Sequence, residues 1–170
     1  MLSQSESHSR TALPAGTLLN RAYVGEEEVG HGGFGIVYKA RHHEIGLVVA
    51  IKEYFPIELA VREDCKVHPR DDECEGHFRD GLTRFLAEGK RLVEFDDCSN
   101  IVTCRDFFRE NGTAYMVMKF EDGMSLAEYL VAREARDQRL NEPDMLNLGL
   151  PLLEGLEVVH AKKCGTETSS

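Results

Sequence analysis

Val29-Gly30-His31-Gly32-Gly33-Phe34-Gly35-Ile36-Val37-Tyr38-Lys39-Ala40 and, after a short turn, Val49-Ala50-Ile51-Lys52 decide how this chain folds. Gly30, Gly32 and Gly35 make a G-x-G-x-x-G pattern. In a dinucleotide-binding fold that pattern leads into a helix, whose N-terminus holds the pyrophosphate. Here it leads into Ile36-Val37-Tyr38, β-branched and aromatic residues that read as a strand. The glycines then sit at a hairpin tip, where backbone N–H groups approach phosphate oxygens with no side chain in the way. A plain glycine-rich β-turn fits the motif alone equally well. Ala50, on the next strand, is small enough to leave room for a flat base. Lys52 ends that strand with a cation that reaches phosphates if the strand lies under the hairpin.

Outward from this core the chain predicts an α+β layout. Strands are expected over residues 23–29, 35–41 and 47–54, the last ended by Pro56. Residues 58–76 read as a charged, irregular surface insertion. A helix is expected over 78–95, with an apolar stripe at Phe78, Leu82, Phe85, Leu86, Leu92 and Val93. Strands over 101–108 and 114–120 follow, joined by the turn Glu110-Asn111-Gly112. Ser125 is placed to cap a short helix through Val131. Asn141 is placed to cap a longer one to His160, with Glu142-Pro143 in its first turn. Leu146, Leu150, Leu153, Leu156, Val159 and His160 would form the apolar face of that helix. Residues 1–20, polar and rich in Ser and Thr, read as a flexible leader.

The chain has 170 residues, 20 basic and 30 acidic, for a net charge of −10; 42% are apolar. That composition is ordinary for a globular protein that buries its own core. The acidic balance argues against sequence-independent binding to nucleic acid or an anionic membrane. No stretch approaches the roughly 18 apolar residues of a membrane span. The first residues lack the basic and apolar regions of a secretory signal. The five cysteines, Cys65, Cys74, Cys98, Cys104 and Cys164, are odd in number and scattered. That pattern suits reduced thiols and a cytoplasmic location.

The glycine hairpin followed by Val49-Ala50-Ile51-Lys52 resembles the N-terminal lobe of protein kinases, with its G-x-G-x-x-G-x-V loop and V-A-I-K strand. Ile51-Lys52-Glu53-Tyr54-Phe55-Pro56 is similar to bacterial serine/threonine kinases in particular. The resemblance implies an N-lobe of five antiparallel strands and one helix over residues 21–123, interrupted by the insertion. The first helices of an incomplete C-lobe would occupy 124–163, and a tail unlike the family 164–170. It implies ATP as ligand and protein Ser/Thr side chains as substrates of a full-length parent. Lys52 would position the triphosphate, paired with Glu88; Glu94 is the alternative partner. Val29, Gly30, His31, Gly32, Gly33, Phe34, Gly35, Val37 and Ala50 would surround the nucleotide. Met118 would stand behind the adenine, and the backbone of Lys119 and Glu121 would bond its edge.

Phosphoryl transfer also needs an H-R-D aspartate, and an asparagine and a D-F-G aspartate for magnesium. These 170 residues contain no H-R-D and no D-F-G, so the chain is expected to be inactive and its magnesium ligands to belong to the parent. The family pattern runs through Val158-Val159-His160-Ala161 and then stops. One codon string allowed for Lys163–Ser170 spells His-Arg-Asp-Ile-Lys in a shifted frame, so a frameshift or truncation near Lys162 is expected. A non-catalytic, pseudokinase-like regulatory module is the alternative. A zinc-stapled regulatory protein is a further one, since Cys65, His68, Cys74 and His77 have ligand types and C-x-x-H spacing.

Overall fold

The computed structural model describes residues 11–95 and 98–166. It divides into two compact units. The first runs to Phe95 and resumes over Val102–Phe120; the second comprises Asp96–Ile101 and the chain from Glu121 onward.

The first unit is built on a six-stranded antiparallel sheet. Its strands are β1 (Leu18–Leu19), β2 (Tyr23–Gly32), β3 (Gly35–His42), β4 (Val48–Tyr54), β7 (Cys104–Glu110) and β8 (Thr113–Lys119). The spatial order is β1-β2-β3-β4-β8-β7. The five expected strands are all present. The sixth, β1, lies in the stretch assigned from composition to a flexible leader. Leu18 pairs with Val24 and Leu19 with Tyr23, and Leu19 is fully buried. Leu13 packs beside it, so residues 11–19 form a strap over one face of the sheet. Residues 1–10 of the expected leader lie outside the described residues.

The insertion over 58–76 is ordered rather than irregular. β5 (Ala60–Glu63) and β6 (Lys66–Pro69) form a two-stranded hairpin around Asp64-Cys65. Asp64 adopts a positive φ of 53° there, a backbone conformation that Asp tolerates better than most residues. Val67 N–H donates to Asn111 O at 2.7 Å, joining this hairpin to the β7–β8 turn. That turn is the expected Asn111-Gly112 pair, both at positive φ as a tight hairpin requires.

Helix α1 (Asp72–Val93) starts six residues before the apolar stripe suggests. Asp71 caps it, its carboxylate accepting from Cys74 N–H at 2.8 Å. Asp72, Glu73 and Glu75 then favour the positive end of the helix dipole. Phe78 and Phe85 face the sheet and are buried. Two helical glycines let the helix lie close. Gly89 is buried next to Met116 and Phe107. A Cβ on Gly81 would collide with the Tyr54 hydroxyl, which donates to Phe78 O at 3.1 Å.

β4 carries opposite chemistry on its two faces. Val49, Ile51 and Glu53 are completely buried on one, whereas Ala50 and Lys52 alternate onto the other. Glu53 is satisfied three ways. One carboxylate oxygen accepts from Tyr38 at 2.8 Å and from Arg62 Nη2 at 2.5 Å; the other accepts from Tyr115 at 2.9 Å. Arg62, with a side chain 2% exposed, also donates to Thr11 O and Cys65 O and lies over the Phe55 ring. Burial, and then the charge on Glu53, push the phenols of Tyr38 and Tyr115 far above their ordinary value, so both stay protonated donors.

The second unit holds α2 (Leu126–Glu134) and α3 (Glu142–Thr166). Ser125 and Glu128 form a complete capping box at the start of α2. Asn141 Oδ1 accepts from Asp144 N–H at 2.9 Å, and Arg133 pairs with Asp144 at 2.7 Å, joining the two helices. α3 runs beyond the expected end at His160, through the start of the expected non-family tail; the rest of that tail, 167–170, lies outside the described residues. Among the described residues no helix is long and apolar enough to cross a membrane.

Two substitutions test this packing by chemical denaturation. Glu53→Ala leaves the Arg62 guanidinium buried without its partner and is expected to cost about 3–5 kcal/mol. Gly81→Ala overpacks the α1–β4 contact and is expected to cost about 1–3 kcal/mol. Adding Tyr54→Phe should recover part of that loss, because the hydroxyl is the atom in the way.

Candidate functional site

The register of the sheet gathers the expected residues. Val37 pairs with Lys52 and Lys52 with Met116. Lys39 pairs with Ala50 and Ala50 with Met118. Val37, Ala50, Lys52 and Met118 therefore share one face of the sheet. β2 and β3 extend past that face as a hairpin with Gly32 opposite Gly35 at its tip. Gly32 and Gly33 are exposed, and a Cβ on either would meet nothing within 4 Å. Phe34, at the same tip, is 80% exposed. His31 Nδ1 lies 3.3 Å from Glu28 Oε1, on the same strand. Val29 is exposed.

Lys52 Nζ lies 3.2 Å from Glu88 Oε1 and 5.7 Å from the centre of the Phe85 ring. Of the two expected carboxylates it is therefore Glu88 that α1 delivers. Glu94 is the C-cap residue of α1. The Lys52 and Glu88 side chains are 29% and 51% exposed. An ion pair so open to water contributes only about 0–1 kcal/mol, so its geometry is set by the helix and strand that carry it. The pair opens into a cavity of about 480 Å³ between the hairpin tip and α1. Gly33, Phe34, Tyr54 and Phe85 line it, with His77, Asp80 and Arg84 along the α1 side. Sequence reasoning considered His77 only as a metal ligand and did not single out Asp80 or Arg84. Their i, i+3, i+4 relation to one another and to Glu88 is the pattern that could have found them.

The edge of the site is less complete. Lys119 ends β8, and its N–H donates to Thr103 O at 3.3 Å. Glu121 begins the second unit. The four zinc candidates are not drawn together. Cys65 lies in the β5–β6 turn, His68 on β6, and Cys74 and His77 on the first turns of α1. Among the described residues no group of three or more His, Cys, Asp or Glu could hold a metal ion. The zinc staple is thus set aside in favour of a hairpin and a helix that each have their own hydrogen bonds.

A glycine hairpin over a strand lysine, with a helix carboxylate against that lysine, supplies backbone donors and one cation to a chain of phosphates.

The family model of the protein kinase domain matches residues 23–165. The serine/threonine-protein kinase PknK of Mycobacterium tuberculosis and that of Mycobacterium bovis are each 29% identical over 149 residues. That alignment covers 87% of this chain but 11% of those relatives. Among solved structures, PpkA-294 in its apo form superposes with a TM-score of 0.69 at 35% identity. The match covers 74% of this chain and 44% of that one. With most of its length under the family model and the sheet, hairpin and helix arranged accordingly, the chain belongs to the protein kinase family, of which it carries the N-lobe and the first helices of the C-lobe.

Proposed function

We propose that this chain is the ATP-binding portion of a serine/threonine protein kinase. The observation that carries the reading is the 3.2 Å contact of Lys52 with Glu88 beneath the glycine hairpin. In this reading the N–H groups of Gly30–Gly35 and the Lys52 ammonium hold the phosphates, and Glu88 fixes the ammonium toward them. Val29, Val37 and Ala50 flank the base, with Met118 behind it. The backbone at Lys119 and Glu121 meets the adenine edge. ATP, when bound, supplies the transferable phosphoryl group.

These 170 residues hold neither the H-R-D aspartate nor the D-F-G magnesium ligand. Transfer to a protein Ser or Thr therefore belongs to the parent as a whole, and this stretch alone is expected to bind nucleotide without turning it over. Titration of the purified chain with ATP, followed by calorimetry, tests the reading. Lys52→Ala should weaken ATP binding about tenfold or more, equivalent to about 1.4 kcal/mol or more. Glu88→Gln should weaken it less. Unchanged affinity in Lys52→Ala, or phosphotransfer by the 170 residues alone, would overturn it.

A further inference from the structure

We propose that Glu53 and Arg62 are positioning residues for Lys52, and that the strap over residues 11–19 is part of that device. The proposal rests on the nucleotide reading of the Lys52 site. The strap lies upstream of residue 23, where the family match begins, so the match itself assigns it nothing.

Three contacts converge on Glu53. Through its side chain it is tied to β3 by Tyr38, to β8 by Tyr115 and to the inserted hairpin by Arg62. Through those same partners it holds the strap. Arg62 Nε donates to Thr11 O at 2.5 Å, and Leu13 N–H donates to the Tyr38 hydroxyl at 3.1 Å. Through its backbone it meets the glycine hairpin: a Cβ on Gly35 would collide with Glu53 O, so only glycine allows β3 to approach there. Its chain neighbour is Lys52.

The Lys52–Glu88 pair, half open to water, cannot hold itself in place, because an ion pair so exposed contributes little net stability. The buried network on the other face can. Its members are enclosed and hydrogen-bonded, and breaking one partner leaves an uncompensated charge. Fixing Glu53 fixes the adjacent peptide of Lys52 and the floor under Gly35. Loosening the network, or freeing the strap that completes it, should let the lysine and the phosphate loop drift apart.

The test compares the wild-type 170-residue chain with Glu53→Gln/Arg62→Met, which removes both charges and so strands neither. Each is titrated with ATP and with adenosine, which lacks the groups Lys52 would hold. Amide hydrogen exchange is followed in parallel. The proposal expects ATP affinity to fall about tenfold with adenosine affinity unchanged. Exchange should speed up over residues 35–38 and 51–54 while residues 104–110 keep their protection. Equal losses for ATP and adenosine, or unchanged exchange over 51–54, would overturn it. If the wild-type chain binds neither nucleotide, the nucleotide reading fails, and the exchange pattern alone decides the positioning role. If the double variant does not fold, Tyr38→Phe decides by the same measurements, since it removes one hydroxyl from the network and no charge.

Discussion

The alternation of side chains along β4 is the constraint on which the first unit depends. A strand cannot present Lys52 to one face without presenting Glu53 to the other. Here the other face is the buried one, so the sequence places a carboxylate where burial of an unpaired charge would be prohibitive. Two tyrosine hydroxyls and a guanidinium resolve that cost. Each comes from a different strand, so satisfying one carboxylate ties β3, β8 and the inserted hairpin to β4. The open face can then carry a weak, water-exposed ion pair, because its placement is not left to its own energy.

On that open face α1 has to come close. Its hydrophobic stripe supplies the drive, through Phe78 and Phe85, and its glycines supply the clearance against Tyr54 and Met116. A glycine inside a helix costs about 1 kcal/mol relative to alanine. Of the three glycines in α1, Gly81 and Gly89 stand where a side chain would hold the helix away, whereas Gly76 meets nothing within 4 Å. The second unit is of another kind. α2 and α3 are each capped at the N-terminus and joined by Arg133–Asp144, but Leu146, Leu150, Leu153 and Leu156 are exposed along α3. Gly155 and Glu154 meet Asn100 within the same unit, and this is the side of α3 that packs.

Much of this was legible in the sequence. The glycine loop, the strand lysine, the Asn111-Gly112 turn and the phase of the α1 stripe are local patterns, and the sheet follows from them; Glu88, with Glu94 as the alternative, came only from the resemblance to protein kinases. What was not legible depends on contacts far apart in the chain. A two-residue strand such as Leu18–Leu19 has no periodicity to read, so the strap resembled a leader. Arg62 fell within what read as a charged surface insertion, and nothing local marks Glu53 as its partner until the inserted hairpin folds back and buries the two together. That hairpin lacks a glycine turn and alternates poorly, so it passed for an irregular insertion. The C-x-x-H pairs looked like ligands because spacing ignores which element each residue joins. His68 falls on a strand and His77 on a helix, and no common centre forms among them.

The central claim is that one face of this sheet, under the glycine hairpin, is a phosphate-binding surface held in shape from behind. The most direct measurement is a nuclear magnetic resonance titration of the isotopically labelled chain with ATP. The account predicts that the largest shifts fall on the backbone amides of residues 30–35 and on Lys52, with smaller ones at Ala50 and Lys119. Shifts confined to α2 and α3, or none at the hairpin at saturating ATP, would contradict it.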